Sequence, residues 1–317
     1  MTANTLGDLQ ASVVDRSALT SLEDYLRLCS AFLGYAENIQ PTRIISPSHP
    51  NYVFFQYGQD YGHKITRPLN SDLFLEETAT FRSAFDRFTA FLDDLREAGT
   101  GDALDAVHMN YLASNEINRV IYTLQQSIGC IGDSFESPNQ SRKRIGQLFE
   151  NLVRLVIQEV GIECEPRTIN LPIPDFPGMT TPYELDMVFS RSQVIITSET
   201  SMLQPFEVVG SVKTTSKDRI DKVFLDKFLL SRLLGRQVPV VAIFLHDVQR
   251  AVRGNSIFGV NSTFKTNHFL GYSVALNRLD GVYYVDPRPE MITDERLRRE
   301  IASFQHFLVY DLWTVAQ

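Results

Sequence analysis

Residues 206–226 read FEVVGSVKTTSKDRIDKVFLD, and they join an apolar strand to a dense group of charges. The run FEVVGSV has the β-branched character of a strand that lies in a hydrophobic core. This strand ends at Lys213, and the mixed cluster of Lys217, Asp218 and Arg219 follows within six residues. A buried strand that ends in a lysine and both signs of charge, instead of a simple turn, indicates a functional site at its end.

The surrounding segments predict an α/β fold. Helical spacing of apolar residues and short β-like runs alternate along the middle of the chain. The predicted helices cover 141–161 and 217–235, and the predicted strands cover 162–169, 183–190, 193–199, 206–213 and 238–246. One helix, four short strands, a second helix and a final strand imply a mixed central sheet flanked by helices.

Two regions are predicted along the chain. Residues 1–135 form a helical N-terminal region, because apolar stripes over 20–39 and 71–99 have helical spacing. The aromatic segment 51–64 between these helices has no regular pattern. Residues 136–317 hold the α/β core and a C-terminal extension, in which a charged helix is expected near 291–304 and no functional motif is found beyond residue 246.

Bulk composition is that of a soluble globular protein, with 44% hydrophobic and 21% charged residues among 317. No apolar run is long enough to span a membrane, and the first ten residues lack the character of a signal peptide. Three cysteines that are far apart, without a CxxC pair, predict reduced structural thiols. We therefore expect a cytoplasmic protein with no membrane partner.

The net charge of −8 argues against a nucleic-acid partner, but the charge is unevenly distributed. Residues 1–110 carry 8 Lys and Arg against 15 Asp and Glu, whereas residues 111–317 carry 22 against 23. The second part is close to neutral, so it can still present a basic face if its acids are gathered elsewhere, for example around a metal ion.

Two acids and a lysine form the candidate catalytic set. On the predicted strand 183–190, Asp186 shares a face with Glu184, and Asp226 follows Lys213 by thirteen residues, enough to fold back over the strand end. Carboxylates hold Mg²⁺, and a lysine stabilises charge on an attacked phosphate, so the set suits phosphodiester hydrolysis. The alternative for Asp186 is an edge-strand acid that faces water. Asp175, in the literal Pro174-Asp175 pair, is a rival first acid, although the prolines around it predict a loop.

These residues resemble the core of the PD-(D/E)xK nuclease superfamily. The string Lys213-Thr-Thr-Ser-Lys217-Asp218-Arg219, with an acid thirteen residues after the first lysine, is similar to the type II restriction endonucleases that read CCGG, CCNGG or CCWGG sites, such as EcoRII, NgoMIV and PfoI. In that group the position two before the lysine is often serine, here Ser211, and the displaced metal-binding acid comes from the next helix. The resemblance covers about residues 140–246.

The resemblance implies a role for each residue. Asp186, Asp226 and the main-chain carbonyl of Val212 would bind Mg²⁺, and Lys213 would lie beside the attacked phosphate. Glu150, on the helix before the core, would be a further catalytic acid; its alternative is a solvated carboxylate beside Arg154. The cluster Lys217, Asp218 and Arg219 would read C·G pairs, because Arg and Lys donate to guanine and an acid accepts from cytosine. For an isolated tripeptide of this kind, a solvated salt-bridged face is the alternative.

The expected protein is thus a type II site-specific deoxyribonuclease of a restriction-modification system, with double-stranded DNA as its substrate. A palindromic site implies a homodimer or a higher assembly of dimers, and the N-terminal region 1–135 is expected to supply dimerisation or DNA contacts. The family also implies flipping of a central nucleotide, with aromatic residues or arginine near 51–61 or at Phe81 and Arg82 as a stacking surface. For most of these residues, in helices rich in Phe, core packing is the favoured alternative. The alternatives are a repair or structure-selective nuclease with this core, a DNA-binding protein with an inactive core, and a helical interaction protein.

Overall fold

Capping side chains and apolar periodicity determine where the helices of the chain begin and end. A computed structural model describes residues 5–15, 17–191 and 194–316 of the chain. At the helix predicted over 20–39, the Ser21 hydroxyl accepts from the Asp24 main-chain N–H and the Asp24 carboxylate accepts from Ser21 in return. The α-helices of the described residues are α1 Leu6–Val14, α2 Leu22–Ile39, α3 Thr78–Ala98, α4 Ala106–Ala113, α5 Glu116–Asp133, α6 Pro138–Glu159, α7 Ile220–Leu234, α8 Thr266–Ala275, α9 Pro289–Thr293, α10 Phe304–His306 and α11 Leu312–Val315.

Strands of the described residues form three sheets. They are β1 Thr42–Ile45, β2 Tyr52–Gln56, β3 Leu69–Asn70, β4 Glu163–Pro172, β5 Thr180–Ser190, β6 Val208–Thr215, β7 Val240–His246, β8 Val248–Arg253, β9 Ser256–Ser262, β10 Gly281–Tyr284 and β11 Ile301–Ser303. The largest sheet has the order β11-β10-β7-β6-β5-β4. Strands β6, β7, β10 and β11 are parallel, whereas β5 is antiparallel to both of its neighbours. This mixed sheet with flanking helices confirms the predicted fold class.

The centre of the large sheet is buried. All seven residues of β7 are buried, which is typical of a strand that is covered on both faces. Side chains of β6, α7, β7 and β10, such as Val209, Phe224, Phe244 and Tyr284, share one hydrophobic cluster. Helix α7 is therefore held against the sheet by its apolar face, and this packing places its charged residues.

Two compact units make up the described part of the chain. One lies within Met1–Phe91, Val107–Leu152 and Val248–Thr263, and the other lies within Leu92–Ala106, Val153–Asp247 and Phe264–Gln317. The large mixed sheet belongs entirely to the second unit. The predicted division of the chain after residue 135, with its dimerisation and DNA-contact roles, stays a prediction.

The first unit contains β structure that the sequence patterns did not predict. The segment 51–64, expected to be irregular, supplies β2, which pairs with β1 and β3 in an antiparallel sheet. Tyr52 and Phe54 pack against Val248 and Val260 of the β8–β9 hairpin, some two hundred residues further along the chain. Local periodicity was a poor guide because four of the five residues of β2 are buried, so polar and apolar residues do not alternate.

Two further expectations were wrong. The segment 193–199 is not a strand where it is described: residues 194–199 form a loop with one bridge between Ser198 and Ser201, and Gln193 lies outside the described residues. The charged helix expected near 291–304 is instead the end of α9, a 3₁₀ turn Leu297–Arg299, and the short strand β11. In that segment Ile301 pairs with Val282 of β10, so strand pairing overrides the helical charge pattern.

All three cysteines are buried and free. Burial raises the pKa of the Cys29 thiol to about 12 and also raises the pKa values of Cys130 and Cys164. The thiols therefore stay protonated near neutral pH, as expected of structural cysteines. Within the described residues, no helix has the length and apolar character needed to cross a lipid bilayer.

Candidate active site

Pairing of β5 with β6 brings Asp186 to Lys213. The two strands are antiparallel with Met187 opposite Gly210, so the residues on either side of this pair also face one another. The Oδ2 atom of Asp186 accepts hydrogen bonds from Lys213 Nζ at 2.5 Å, from the Val212 main-chain N–H at 3.0 Å and from Ser211 Oγ at 3.2 Å. Residues 211–213 thus surround one carboxylate oxygen with three donors.

Gly210 permits the close approach of these strands. A Cβ atom at this position would lie 2.6 Å from Cγ and 2.8 Å from Sδ of Met187, far inside van der Waals contact. Met187 is fully buried, so it has little room to move away. The glycine immediately before Ser211-Val212-Lys213 is therefore part of how the site is built.

Asp226 reaches the same region from helix α7. Its Oδ1 atom accepts from the Tyr183 hydroxyl of β5, and its Oδ2 atom accepts from Lys222 Nζ at 2.7 Å, one helical turn earlier. Burial, and then the hydrogen bond and charge of Asp226 and the charge of Asp186, raise the pKa of Tyr183 above its usual range. Tyr183 is therefore a protonated donor near neutral pH, with both carboxylates in its neighbourhood.

One pocket of about 430 Å³ is lined by four of the predicted site residues, Asp186, Lys213, Arg219 and Asp226. The other predicted residues, Glu150, Val212, Lys217 and Asp218, do not line it. Its walls come from β5, β6, the first three turns of α7 and the start of β7. The charged and hydroxyl-bearing residues that line it are Tyr183, Glu184, Asp186, Ser211, Lys213, Arg219, Lys222 and Asp226. The structure thus brings together Asp186, Lys213 and Asp226, which are spread over forty residues of sequence. A second cavity, near Tyr283 and His306, contains none of the predicted site residues.

The charged cluster Lys217, Asp218 and Arg219 lies at the start of α7, and all three side chains are exposed. Asp218 has a φ of 51°, in the left-handed region, which turns the chain sharply after β6. Arg219 is the N-cap residue of α7 and also lines the pocket. An exposed helix start with two cations and an acid, next to this pocket, can contact a polyanion and hydrogen-bond to groups in a groove.

Other predicted or rival residues are placed as follows. Glu150 is half-buried on α6 in the first unit, and its catalytic role stays a prediction. At Val212, the main-chain N–H contacts Asp186, while the metal-binding role of its carbonyl also stays a prediction. The rival acid Asp175 is exposed in the β4–β5 turn with a φ of 64°, outside the pocket. Of the suggested stacking residues, Phe81 is fully buried, so its ring belongs to the core.

The donor atoms of the pocket fit Mg²⁺. Among the residues that the structure describes, no three His, Cys, Asp or Glu side chains converge as a metal-binding group. Mg²⁺ does not need such a group, because it is usually bound through one or two carboxylates and keeps several water ligands. Asp186 and Asp226 supply two carboxylates of this kind to one pocket.

Sequence reasoning did not single out Tyr183 and Lys222. A spacing signal existed for Lys222, since it precedes Asp226 by four residues on a predicted helix. No local signal existed for Tyr183, which meets Asp226 through tertiary packing across forty-three residues.

The fold that carries this site is that of a restriction endonuclease. No model of a known protein family matches the sequence, and no curated protein matches it. Among solved structures, the chain is similar to the type IIP restriction endonuclease Kpn2I, with a TM-score of 0.67 and 18% identity over 98% of this chain and 97% of that one. A weaker similarity is to the restriction endonuclease PspGI in complex with substrate DNA, with a TM-score of 0.40 and 13% identity over 63% of this chain and 80% of that one.

Proposed function

We propose that this protein is a type II restriction endonuclease that hydrolyses double-stranded DNA at a palindromic site containing CC/GG, of the CCGG or CCNGG type, with Mg²⁺ as its cofactor. The observation that carries the proposal is the meeting of Asp186, Lys213 and Asp226 in one pocket. The similarity to Kpn2I over almost the whole of both chains supports the proposal at the level of the fold.

The two aspartates would hold the metal ion together with the main-chain carbonyl of Val212. When bound, Mg²⁺ polarises a phosphate oxygen and lowers the pKa of a bound water. Ser211 and the Val212 N–H orient the Asp186 carboxylate, because both donate to its Oδ2 atom. Tyr183 orients the Asp226 carboxylate in the same way, because its hydroxyl donates to Oδ1. Glu150 is proposed as a further acid of the site.

Lys213 would stabilise the charge that develops on the attacked phosphate. Its ammonium group is 2.5 Å from Asp186 and its side chain is 29% exposed, so it is both held in place and accessible to a ligand in the pocket. A fixed cation close to developing negative charge lowers a barrier more than a mobile one, because it needs no reorganisation during the reaction.

The start of α7 would read the CC/GG half-site. Arg219 and Lys217 can donate to guanine O6 and N7, and Asp218 can accept from cytosine N4. Adjacent C·G pairs present both kinds of group in the major groove, so a reader of such a sequence needs both signs of charge side by side. The exposure of all three side chains leaves them accessible to a duplex.

The first experiment is digestion of a plasmid of known sequence with Mg²⁺, followed by mapping of the fragment ends. A type II restriction endonuclease gives discrete fragments whose ends share one palindromic sequence. Cutting without a shared sequence would support a structure-selective or repair nuclease instead. Sequence-specific binding without cutting in any divalent metal would support a DNA-binding protein, and activity that survives excess chelator would exclude the metal mechanism.

Substitution of Lys213 tests the site itself. Lys213→Ala is expected to abolish cleavage and to leave site-specific binding largely intact, because the ammonium group acts on the attacked phosphate and not on the bases. Cleavage is measured on the mapped site and binding by gel shift with Ca²⁺. Lys265→Ala, at an exposed lysine outside the pocket, is the charge-matched control. Unchanged cleavage by Lys213→Ala would remove this lysine from the mechanism.

A further inference from the structure

The two oxygens of Asp226 have partners of different kinds. Oδ1 accepts from the hydroxyl of Tyr183, a residue of β5 that packs against the hydrophobic cluster of the central sheet. Oδ2 accepts from the ammonium of Lys222, whose side chain is 62% exposed, whereas that of Asp226 is only 21% exposed. One oxygen is thus held by a rigid, packed donor and the other by a flexible, solvated cation.

These two contacts differ in how easily they are broken. An exposed i,i+4 ion pair contributes little to stability, because the lysine gives up solvation and side-chain freedom when it forms. A hydrogen bond to a charged group in a partly buried place contributes more, because water competes with it less. A ligand that competes for Asp226 will therefore displace Lys222 from Oδ2 before it displaces Tyr183 from Oδ1.

Lys222 balances the negative charge of the pocket. The pocket brings the carboxylates of Asp186 and Asp226 together, and each has its own lysine, Lys213 at 2.5 Å and Lys222 at 2.7 Å. Without its lysine, each carboxylate would be repelled by the other in the absence of a metal ion. Two carboxylates and two ammonium groups leave this set with no net charge.

We propose that Lys222 is a tethered cation that occupies Oδ2 of Asp226 in the metal-free protein and yields that atom to a divalent ion, while Tyr183 is a positioning residue that keeps Oδ1. The inference rests on the proposed function, because it takes Asp226 as a metal ligand. A displaced Lys222 remains at the pocket wall, where its ammonium already lies 5.8 Å from the centre of the Tyr183 ring. From there it can meet a phosphate of bound DNA.

The test measures binding of Mn²⁺ by isothermal titration calorimetry to the full-length protein, so it does not depend on cleavage. Lys222→Met removes the competing cation and is expected to tighten Mn²⁺ binding roughly threefold, in keeping with the strength of an exposed pair. Tyr183→Phe removes the orienting hydroxyl and is expected to weaken Mn²⁺ binding about tenfold, as loss of an outer partner of a metal ligand does. Opposite signs for two neighbours of one carboxylate are not expected from general loss of structure.

Two variants control for non-specific effects. Arg232→Gln removes a positive charge from an exposed position of the same helix, outside the pocket, and Tyr283→Phe removes a tyrosine–aspartate hydrogen bond, to Asp311, away from the pocket. Both are expected to bind Mn²⁺ as the wild type does. If Arg232→Gln tightens binding as much as Lys222→Met, the effect is one of overall charge and the proposal for Lys222 is overturned.

Asp226→Asn separates failure of this inference from failure of the proposed function. If Asp226→Asn binds Mn²⁺ as tightly as the wild type, Asp226 is not a ligand and the metal assignment fails. If Asp226→Asn loses Mn²⁺ binding but Lys222→Met binds Mn²⁺ as tightly as the wild type or more weakly, only the displacement of Lys222 by the metal ion is rejected. If Tyr183→Phe binds as the wild type does, its positioning role is rejected. Thermal melting of each variant checks that the chain is folded.

Discussion

Asp186 and Glu207 are acids beside the same sheet, but their surroundings give them different capacities. Asp186 is partly exposed to the pocket and bonds to Lys213, so it can meet a ligand. Glu207 is fully buried, and its oxygens accept from three main-chain N–H groups and from the Thr197 hydroxyl. These contacts assign Glu207 to the support of a loop.

Substitution of Arg219 is the best test of the proposed recognition of the DNA sequence. Arg219→Ala is expected to reduce discrimination at one C·G pair by about 1 to 3 kcal/mol, since a bidentate contact to guanine would be lost. The measurement compares binding to the mapped site and to duplexes with one base pair changed. Arg232→Ala, at the other end of α7, is the matched control. Equal weakening on every duplex would make Arg219 a phosphate contact only.

Two helical glycines in the first unit offer a matched test of packing. A Cβ at Gly129 would lie 2.3 Å from the guanidinium of Arg67, which forms an ion pair with Asp133 at 3.0 Å, whereas a Cβ at Gly146 would meet nothing within 4 Å. Gly129→Ala is expected to lower the free energy of unfolding by about 2 kcal/mol through overpacking. Gly146→Ala is expected to raise it by about 0.5 to 1 kcal/mol, because alanine favours a helix.

Urea denaturation of the two alanine variants measures this difference. If Gly129→Ala is as stable as Gly146→Ala, the guanidinium of Arg67 has room to move and does not require glycine at position 129.

At the scale of an element, the segment 194–204 shows how one buried acid can replace strand pairing. A strand was predicted over 193–199, yet the main-chain N–H groups of Ile196, Thr197 and Gln204 donate to Glu207 instead of to a neighbouring strand. A buried N–H needs a partner but not a particular one. A single carboxylate therefore organises a loop that apolar residues alone would have placed in the sheet.

Glu207→Gln is expected to destabilise this loop by about 2 kcal/mol, because the amide nitrogen of glutamine would face N–H donors. Burial raises the pKa of Glu207, but the hydrogen bonds from Thr197, Gln204 and Ile196 outweigh it, and the pKa lies below its ordinary value of 4.5. The stability that wild-type Glu207 adds is thus fully present above pH 4.5 and is lost as the pH falls through the lowered pKa.

Hydrogen exchange of the amides of Ile196 and Thr197 measures the effect, at neutral pH and at pH 3. Glu199→Gln, at an exposed position of the same segment, is the control and is expected to leave exchange unchanged. Equal protection in Glu207→Gln and wild type would show that the loop is held by other contacts.

At the scale of the whole molecule, the proposed palindromic site implies an assembly of more than one chain. A palindromic site presents the same half-site twice, and one chain contributes one candidate pocket of this composition among its described residues. We expect a homodimer, or an assembly of dimers, with a sedimentation-equilibrium mass of twice the chain mass or an even multiple of it. A monomer that cuts both strands in one binding event would contradict this expectation. If the free protein has the mass of a monomer and nicks the two strands one after the other, the assembly would be limited to the DNA-bound state.

Local sequence signals predicted four long helices of this chain well and its remote strands poorly. Helices α2, α3, α6 and α7 have apolar stripes and end signals within their own residues, so the prediction needed no knowledge of their partners. Strands β2, β8 and β11 had no such signal, because their stability comes from pairing and burial against distant segments. The same distinction applies to the site, where Lys222 could have been found by spacing and Tyr183 could not.

The amino-acid order of residues 183–226 was enough to propose Asp186, Lys213 and Asp226 as candidates, through strand alternation, a thirteen-residue separation and the resemblance of the motif to a nuclease core. Their convergence on one pocket depends on the register of β5 against β6 and on the packing of α7 over the sheet. Register and packing are set by burial summed over many distant side chains, such as Met187 against Gly210, and that sum exists only in the folded chain. The partners of each Asp226 oxygen are likewise a property of the fold, because a hydroxyl forty-three residues away has no local relation to the carboxylate that it orients.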